Sequence, residues 1–247
     1  MVPIKLHRID FLTKEDFTYG KIPSRMMYLR DIPERNMLES YTAWQRLKQV
    51  QEYKPLIYTD IYRSPASSAE AYARKVGVAK PGYSGHNYGI SVDVAVEASM
   101  RRHKITYTQL CNIMIVYGWT PYQGKVSSYK RGKEDWHFNF IGEWSYSAND
   151  NNNKVKPGAD QVNTWILQNY HFEDDMKYIQ VCLKKLKFYQ GEIDGLKGPL
   201  TSNGIKKFQQ AWFPKTLPTT GKLDNLTVRL VNIIATDVVD EHGTLII

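Results

Sequence analysis

The feature that most constrains how this chain can fold is a break beyond its middle. Residues 145–158 read SYSANDNNNKVKPG, a polar, asparagine-rich run closed by Pro157-Gly158. It has too little apolar surface to bury a core of its own. With 247 residues the chain can hold two compact units. The break sets their expected limits at 1–145 and 174–247, joined by a linker over 146–173. The pattern changes across it, from mixed helical and strand periods to purely helical spacing.

In the first unit Met37, Tyr41, Trp44 and Leu47 recur at helical spacing and predict an amphipathic helix over 35–51. A buried strand over 56–63, bounded by Lys54-Pro55 and Ser64-Pro65, and a helix over 67–75 follow. The next strand, 90–96, alternates: Ile90, Val92, Val94 and Val96 share one face, Ser91, Asp93 and Ala95 the other. A helix over 108–117 stops at Gly118. The strand 136–140 puts Trp136, Phe138 and Phe140 on one face and His137 and Asn139 on the opposite one. Helices and strands in this order predict an α+β domain with a small antiparallel sheet and flanking helices.

Three polar features interrupt these hydrophobic strands: Ser84-Gly85-His86 in a glycine-rich loop, Asp93 on the following strand, and Glu134-Asp135-Trp136-His137 leading into the last. Two imidazoles and one carboxylate, from His86, His137 and Asp93, leave one of zinc's four tetrahedral positions open, as a catalytic site requires. Gly85 and Gly89 allow the loop to fold back over the strand that carries Asp93. Glu134 is the expected general base and later proton donor, provided that it sits in the turn before the strand. Asp135 competes for the role, although its side chain is expected to point away.

Net charge and cysteines narrow the function class. A formal charge of +8 favours a polyanionic neighbour, either nucleic acid, an anionic membrane surface or an anionic wall polymer. The cations are scattered in short groups (Arg101, Arg102 and Lys104; Lys130, Arg131 and Lys133; Lys184, Lys185 and Lys187), without a basic tract interleaved with aromatics, so no nucleic-acid partner is expected. No apolar run reaches the ~20 residues of a membrane span, and charges interrupt the first residues, so neither a membrane partner nor a secretory signal is expected. Cys111 and Cys182 are far apart, outside any CxxC pair, and read as reduced buried thiols.

The run Ser84-Gly85-His86-Asn87-Tyr88-Gly89-Ile90-Ser91-Val92-Asp93 resembles the S-x-H-x-x-G-x-A-x-D signature of the M15 peptidases, the D-alanyl-D-alanine carboxypeptidase and L-alanyl-D-glutamate endopeptidase group. Glu134-Asp135-Trp136-His137 resembles that group's E-x-x-H motif. The resemblance implies zinc as cofactor, His86, Asp93 and His137 as its ligands and Glu134 as catalytic base. Asp60-Ile61-Tyr62-Arg63-Ser64 matches an S-G-Y-R-S strand end, which implies that Arg63 steadies the scissile carbonyl or a substrate carboxylate and that Ser84 hydrogen-bonds the bound peptide. Two departures stand out: Ser91 where alanine is usual, and Asp60-Ile61 in place of Ser-Gly.

In the second unit, Met176, Ile179, Leu183 and Leu186 mark one amphipathic helix. Pro199 opens a second with Ile205, Phe208 and Trp212 on one side, and Asp224 caps a third bearing Leu226, Leu230 and Ile233. A short helix over 161–170 is expected to dock the resulting three-helix bundle on the linker. The ordered motifs Tyr178-Ile179-Gln180, Gly191-x-x-Asp194-Gly195-x-x-Gly198-Pro199, Ile205-x-x-Phe208-Gln209 and Thr220-Gly221-x-Leu223-Asp224 resemble peptidoglycan-binding domain 1. That resemblance implies bacterial peptidoglycan as partner, with Tyr189, Asp194 and Trp212 as wall contacts. A zinc peptidase joined to a wall-binding bundle resembles a phage endolysin. This implies a monomer held in the host cytoplasm until lysis that cleaves the L-Ala–D-Glu bond of the stem peptide. The alternatives are a D-alanyl-D-alanine carboxypeptidase and a non-catalytic wall-binding virion protein.

Overall fold

The computed structural model describes residues 6–9, 11–17, 28–29, 31–48, 54–74, 78–122, 134–140, 166, 172–213 and 217–235. The polar break at 145–158 lies outside them, as does the expected helix over 161–170 apart from Ile166, which is helical and buried. The first unit is built on a four-stranded antiparallel sheet of β3 (Tyr58–Asp60), β4 (Ser91–Val94), β5 (Trp119–Pro121) and β6 (His137–Phe140), in spatial order β3-β4-β6-β5. A separate two-stranded pair, β1 (His7–Arg8) and β2 (Tyr28–Leu29), precedes it. The apolar strand faces supply a continuous core: Tyr58, Val92, Val94, Trp119, Phe138 and Phe140 are all buried.

The helices α1 (Asp31–Lys48), α2 (Pro65–Ala73), α3 (Val96–His103) and α4 (Tyr107–Val116) flank the sheet. Met37 and Tyr41 of α1, a helical turn apart, enter the same core as Leu110, Cys111 and Met114 of α4. Ser64 caps α2, accepting from Ser67 N at 3.2 Å, and Thr106 opens α4 in a reciprocal capping box with Gln109. Strand spacing at 90–96 predicts a longer strand than forms. The chain leaves the sheet at Ala95 and α3 begins at Val96, which is buried as a helix residue. The edge strand β5 has three residues and ends in Pro121, too short to leave a periodic signal.

The second unit comprises α5 (Met176–Lys185), α6 (Pro199–Trp212) and α7 (Asn225–Ala235). Ile179, Leu183, Ile205, Phe208, Leu230, Val231 and Ile234 form its core. Asp175 caps α5 and Asp224 caps α7, whose Thr227 N donates to Asp224 Oδ1 at 2.8 Å. Two buried glutamines close the connecting loops in the same way. Gln180 Oε1 accepts from Gly195 N while its Nε2 donates to Leu196 O and Thr201 Oγ1; Gln209 Oε1 accepts from Gly221 N while its Nε2 donates to Lys222 O and Thr227 Oγ1. Each amide is satisfied at both ends by loop and helix groups, so the loops are fixed without a large core.

The architecture is the α+β domain with a small antiparallel sheet and a helical C-terminal region that the periodicities predict. The two regions touch through α7. Ile233 is buried with the core of the first unit, and the Arg229 guanidinium lies 4.1 Å from the ring centre of Tyr83 and 5.4 Å from that of Phe172.

Candidate metal centre

The register of β4 and β6 builds the site. Ser91 pairs with Asn139 and Asp93 with His137. Side chains directly opposite on antiparallel strands point to the same face, so four polar residues gather on the face turned away from Val92 and Phe138. The third donor arrives from the 3-10 turn Gly85–Tyr88. Ser84 caps that turn by accepting from His86 N at 3.3 Å, and Gly89 ends it in the left-handed conformation at φ 64°. Ile90 N then returns to Gly85 O, which locks the loop against the start of β4.

His86, Asp93 and His137 meet as a consequence. Asp93 Oδ1 lies 2.7 Å from His137 Nδ1 and 3.3 Å from His86 Nε2, and the two ring nitrogens are 3.3 Å apart. The three donor atoms all fall within 4.8 Å of one another. His86 Nδ1 donates to Ile61 O at 2.6 Å, an acceptor only, so its Nε2 lone pair faces the other two donors. His137 presents Nδ1 to them and turns Nε2 toward Asn139 Oδ1 at 2.9 Å. Two imidazole nitrogens and one carboxylate oxygen are the donor set of an open zinc site, and these residues fit such an ion.

The electrostatics favour the charged forms of Asp93 and His86 in the absence of a cation. Burial opposes ionisation of Asp93, yet the two adjoining imidazoles outweigh it and hold the carboxyl far below its ordinary range. Burial likewise opposes protonation of His86, but the carboxylate of Asp93 raises its pKa above 6.5. A bound cation would take the place of the proton on His86.

The triad opens on a cleft of about 470 Å³ whose lining includes Arg63, Tyr83, Ser84, Tyr122, Glu134 and Trp136. Glu134 sits in the turn before β6, with a left-handed backbone at φ 55°, and its carbonyl accepts from His137 N at 3.0 Å. Asp135 is buried, and its carbonyl accepts from Tyr107. Arg63 is held by Asp60, whose carboxylate accepts from both Nε and Nη2, and its Nη2 stands 3.8 Å from Asp93 Oδ2. The Asp60 that departs from the signature therefore fixes the guanidinium beside the triad. Ser84 is 9% exposed, with its oxygen on His86 N, so its role in shaping the ligand turn is independent of substrate.

In the bundle, Tyr189 is buried and its hydroxyl donates to Glu192 O. Asp194 accepts from Gln180 Nε2 and from Leu196 N, which lowers its pKa. Trp212 is half-buried, stacked on Phe208 at 6.4 Å between ring centres. All three help to build the bundle. Leu196 and Leu200, which the sequence reasoning passed over, are the large apolar side chains that α6 and its preceding loop leave exposed. Asn139 was also passed over as more than a strand residue, although its place two positions after His137 on the same face was the available signal.

Residues 38–143 match the D-alanyl-D-alanine carboxypeptidase family, and residues 173–231 match the peptidoglycan binding domain family. Comparison with curated proteins finds no match. The first match spans the turn, β4 and β6 that carry the triad, and the second spans α5 and α6 with most of α7. Together they make the chain a hydrolase acting on peptidoglycan, similar to D-alanyl-D-alanine carboxypeptidases in its first unit and equipped with a peptidoglycan-binding second one.

Proposed function

We propose that the chain is a zinc-dependent endopeptidase of the peptidoglycan stem peptide, cleaving the L-Ala–D-Glu bond, and that it acts as a phage endolysin. The observation that carries the metal chemistry is the convergence of His86, Asp93 and His137, with the second nitrogen of each ring engaged elsewhere. When bound there, zinc would polarise the scissile carbonyl and acidify water. Glu134, on the cleft wall, takes the proton from the attacking water and returns it to the departing amine. Arg63, oriented by Asp60, stabilises the oxygen that gains charge or holds a substrate carboxylate. Ser84 lies on the same wall for a hydrogen bond to the peptide.

The helical unit keeps the enzyme on the wall, where Asp194 and Trp212 of the expected contacts retain accessible faces. No described helix is long and apolar enough to cross a membrane. The proposed cycle keeps a monomer in the host cytoplasm until lysis, without nucleic-acid or membrane partners.

A second reading, a D-alanyl-D-alanine carboxypeptidase, is favoured by the family matched over residues 38–143. Metal analysis of the purified protein, combined with mass spectrometry of digested peptidoglycan, separates the two. The endopeptidase leaves new D-Glu amino termini. Free D-alanine with the L-Ala–D-Glu bond intact selects the carboxypeptidase.

A further inference from the structure

We propose that Ser91 and Asn139 form a positioning pair that presents Nδ1 of His137 to the metal ion. The proposal rests on the reading of His86, Asp93 and His137 as metal ligands, and concerns residues that the cleft chemistry above leaves unused. Both side chains are sealed from solvent, Ser91 at 0% and Asn139 at 1% exposure. Ser91 Oγ donates to Asn139 Oδ1 at 2.6 Å, and the same carbonyl oxygen stands 2.9 Å from His137 Nε2.

An imidazole that gives its Nδ1 lone pair to a metal must carry its proton on Nε2, and that proton needs an acceptor. Asn139 Oδ1 is placed to be that acceptor. The opposite orientation of the amide would aim an NH2 group at Nε2. The ring proton would then move to Nδ1 and block the ligand position. The Ser91 hydroxyl steadies the orientation seen by donating to the same carbonyl oxygen. Asn139 Nδ2 has no hydrogen-bond partner among the described residues, so the amide is turned to serve His137 and Ser91 instead of satisfying its own donor.

Gly85 completes the arrangement. A Cβ at this position would overlap Ser91 Oγ and lie 3.1 Å from Asn139 Oδ1. The glycine of the ligand turn therefore leaves room for the hydroxyl that stands where the resembling signature has alanine. One β4–β6 register thus supplies two of the ligands and, two pairs along on the same face, the device that orients one of them.

The test is zinc affinity of the metal-stripped full-length chain, measured by competition with a chromophoric chelator, together with the visible spectrum of the cobalt-loaded protein. Asn139→Leu should weaken zinc binding by about 10–100-fold, the usual effect of removing a group that orients a histidine ligand. It should also alter the cobalt bands while leaving the melting temperature of the metal-free protein near wild type. Asn139→Asp keeps an acceptor for Nε2–H and should restore affinity to within about threefold of wild type. Ser91→Ala should fall between, and carries the test if Asn139→Leu does not fold. Wild-type affinity in both Asn139→Leu and Ser91→Ala, or an Asn139→Asp as weak as Asn139→Leu, overturns the pair. A wild-type chain that binds neither zinc nor cobalt overturns the metal-centre reading and the pair together.

Discussion

At the scale of single residues, the proposed chemistry separates the groups that would hold a cation, His86, Asp93 and His137, from Glu134, which would move a proton. Glu134 meets the triad through its backbone carbonyl, which accepts from His137 N, and it lines the cleft from a turn with φ 55°, a conformation that costs a non-glycine residue about 1 kcal/mol. A side chain kept in such a backbone at the mouth of a polar cleft suits a task that needs a fixed approach. Glu134→Gln should therefore retain zinc while losing at least about 100-fold in turnover on peptidoglycan. Equal turnover in variant and wild type, at equal zinc content, would remove Glu134 from the proton path. The triad also sets a pH dependence. The raised pKa of His86 means that its protonated pairing with Asp93 stabilises the metal-free fold below about pH 6.5, and that this contribution fades as pH rises through the raised value. The lowered pKa of Asp93 adds stability above its ordinary range, lost only in strong acid. Zinc needs both rings unprotonated, so it displaces this pairing at low pH and adds to the fold freely at high pH. The rise in melting temperature on adding zinc should be larger at about pH 8 than at about pH 5.5. An increment independent of pH would contradict this assignment of ligands.

At the scale of elements, the informative unit is the turn Gly85–Tyr88 with β4 and β6. Its placement was legible because alternation is a strong signal. Ser91 and Asp93 oppose Val92 and Val94, and His137 and Asn139 oppose Phe138 and Phe140, so the polar faces could be read from period two alone. The register that pairs Asp93 with His137 was not legible, since it depends on long-range contacts that no local pattern encodes. The start of α3 was misread for a related reason. Val96 continues the strand alternation and enters the same core as Val92 and Val94, although the backbone has left the sheet at Ala95, so the apolar pattern runs unbroken across the boundary. Asp60 shows the opposite case, a departure from the signature whose meaning appeared only with its hydrogen bonds to Arg63. The turn also yields a stability prediction. Because a Cβ at residue 85 would overlap Ser91 Oγ, Gly85→Ala must push β4 and the turn apart. It should destabilise the metal-free chain by about 1–3 kcal/mol in denaturant unfolding, the range for overpacked interiors. Pairing it with Ser91→Gly, which removes the obstructing hydroxyl, should recover much of the loss. A double variant no more stable than Gly85→Ala would place the strain elsewhere.

At the scale of the whole molecule, the wall-binding unit and the cleft are mechanically joined. Arg229 of α7 is 6% exposed, lies against the ring of Tyr83, and donates to Gly82 O at 3.4 Å. Tyr83 lines the cleft and immediately precedes Ser84, the cap of the ligand turn. The space beside Gly82, which has φ 80°, is filled by Leu226, Arg229 and Leu230 of the same helix, and Tyr88 of the ligand turn meets Phe172 edge-on at 6.2 Å. A buried guanidinium over an aromatic face contributes about 2 kcal/mol where water is excluded, and removing it also leaves a void under the loop. A bundle that served only as a tether would matter for insoluble wall and be irrelevant to a small soluble stem peptide. The contact through α7 predicts otherwise. Arg229→Ala should lower kcat/KM on a soluble stem peptide by about tenfold, as expected when a cleft wall shifts by a fraction of an ångström, while sedimentation with intact peptidoglycan stays near wild type. Arg229→Lys keeps the charge but loses the planar stacking and should fall between the two. If Arg229→Ala matches wild type on the soluble peptide, α7 contributes nothing to the cleft. If it loses wall sedimentation as well, Arg229 supports the bundle itself. Only the split between the two assays assigns to the second unit a part in catalysis that its wall affinity does not supply.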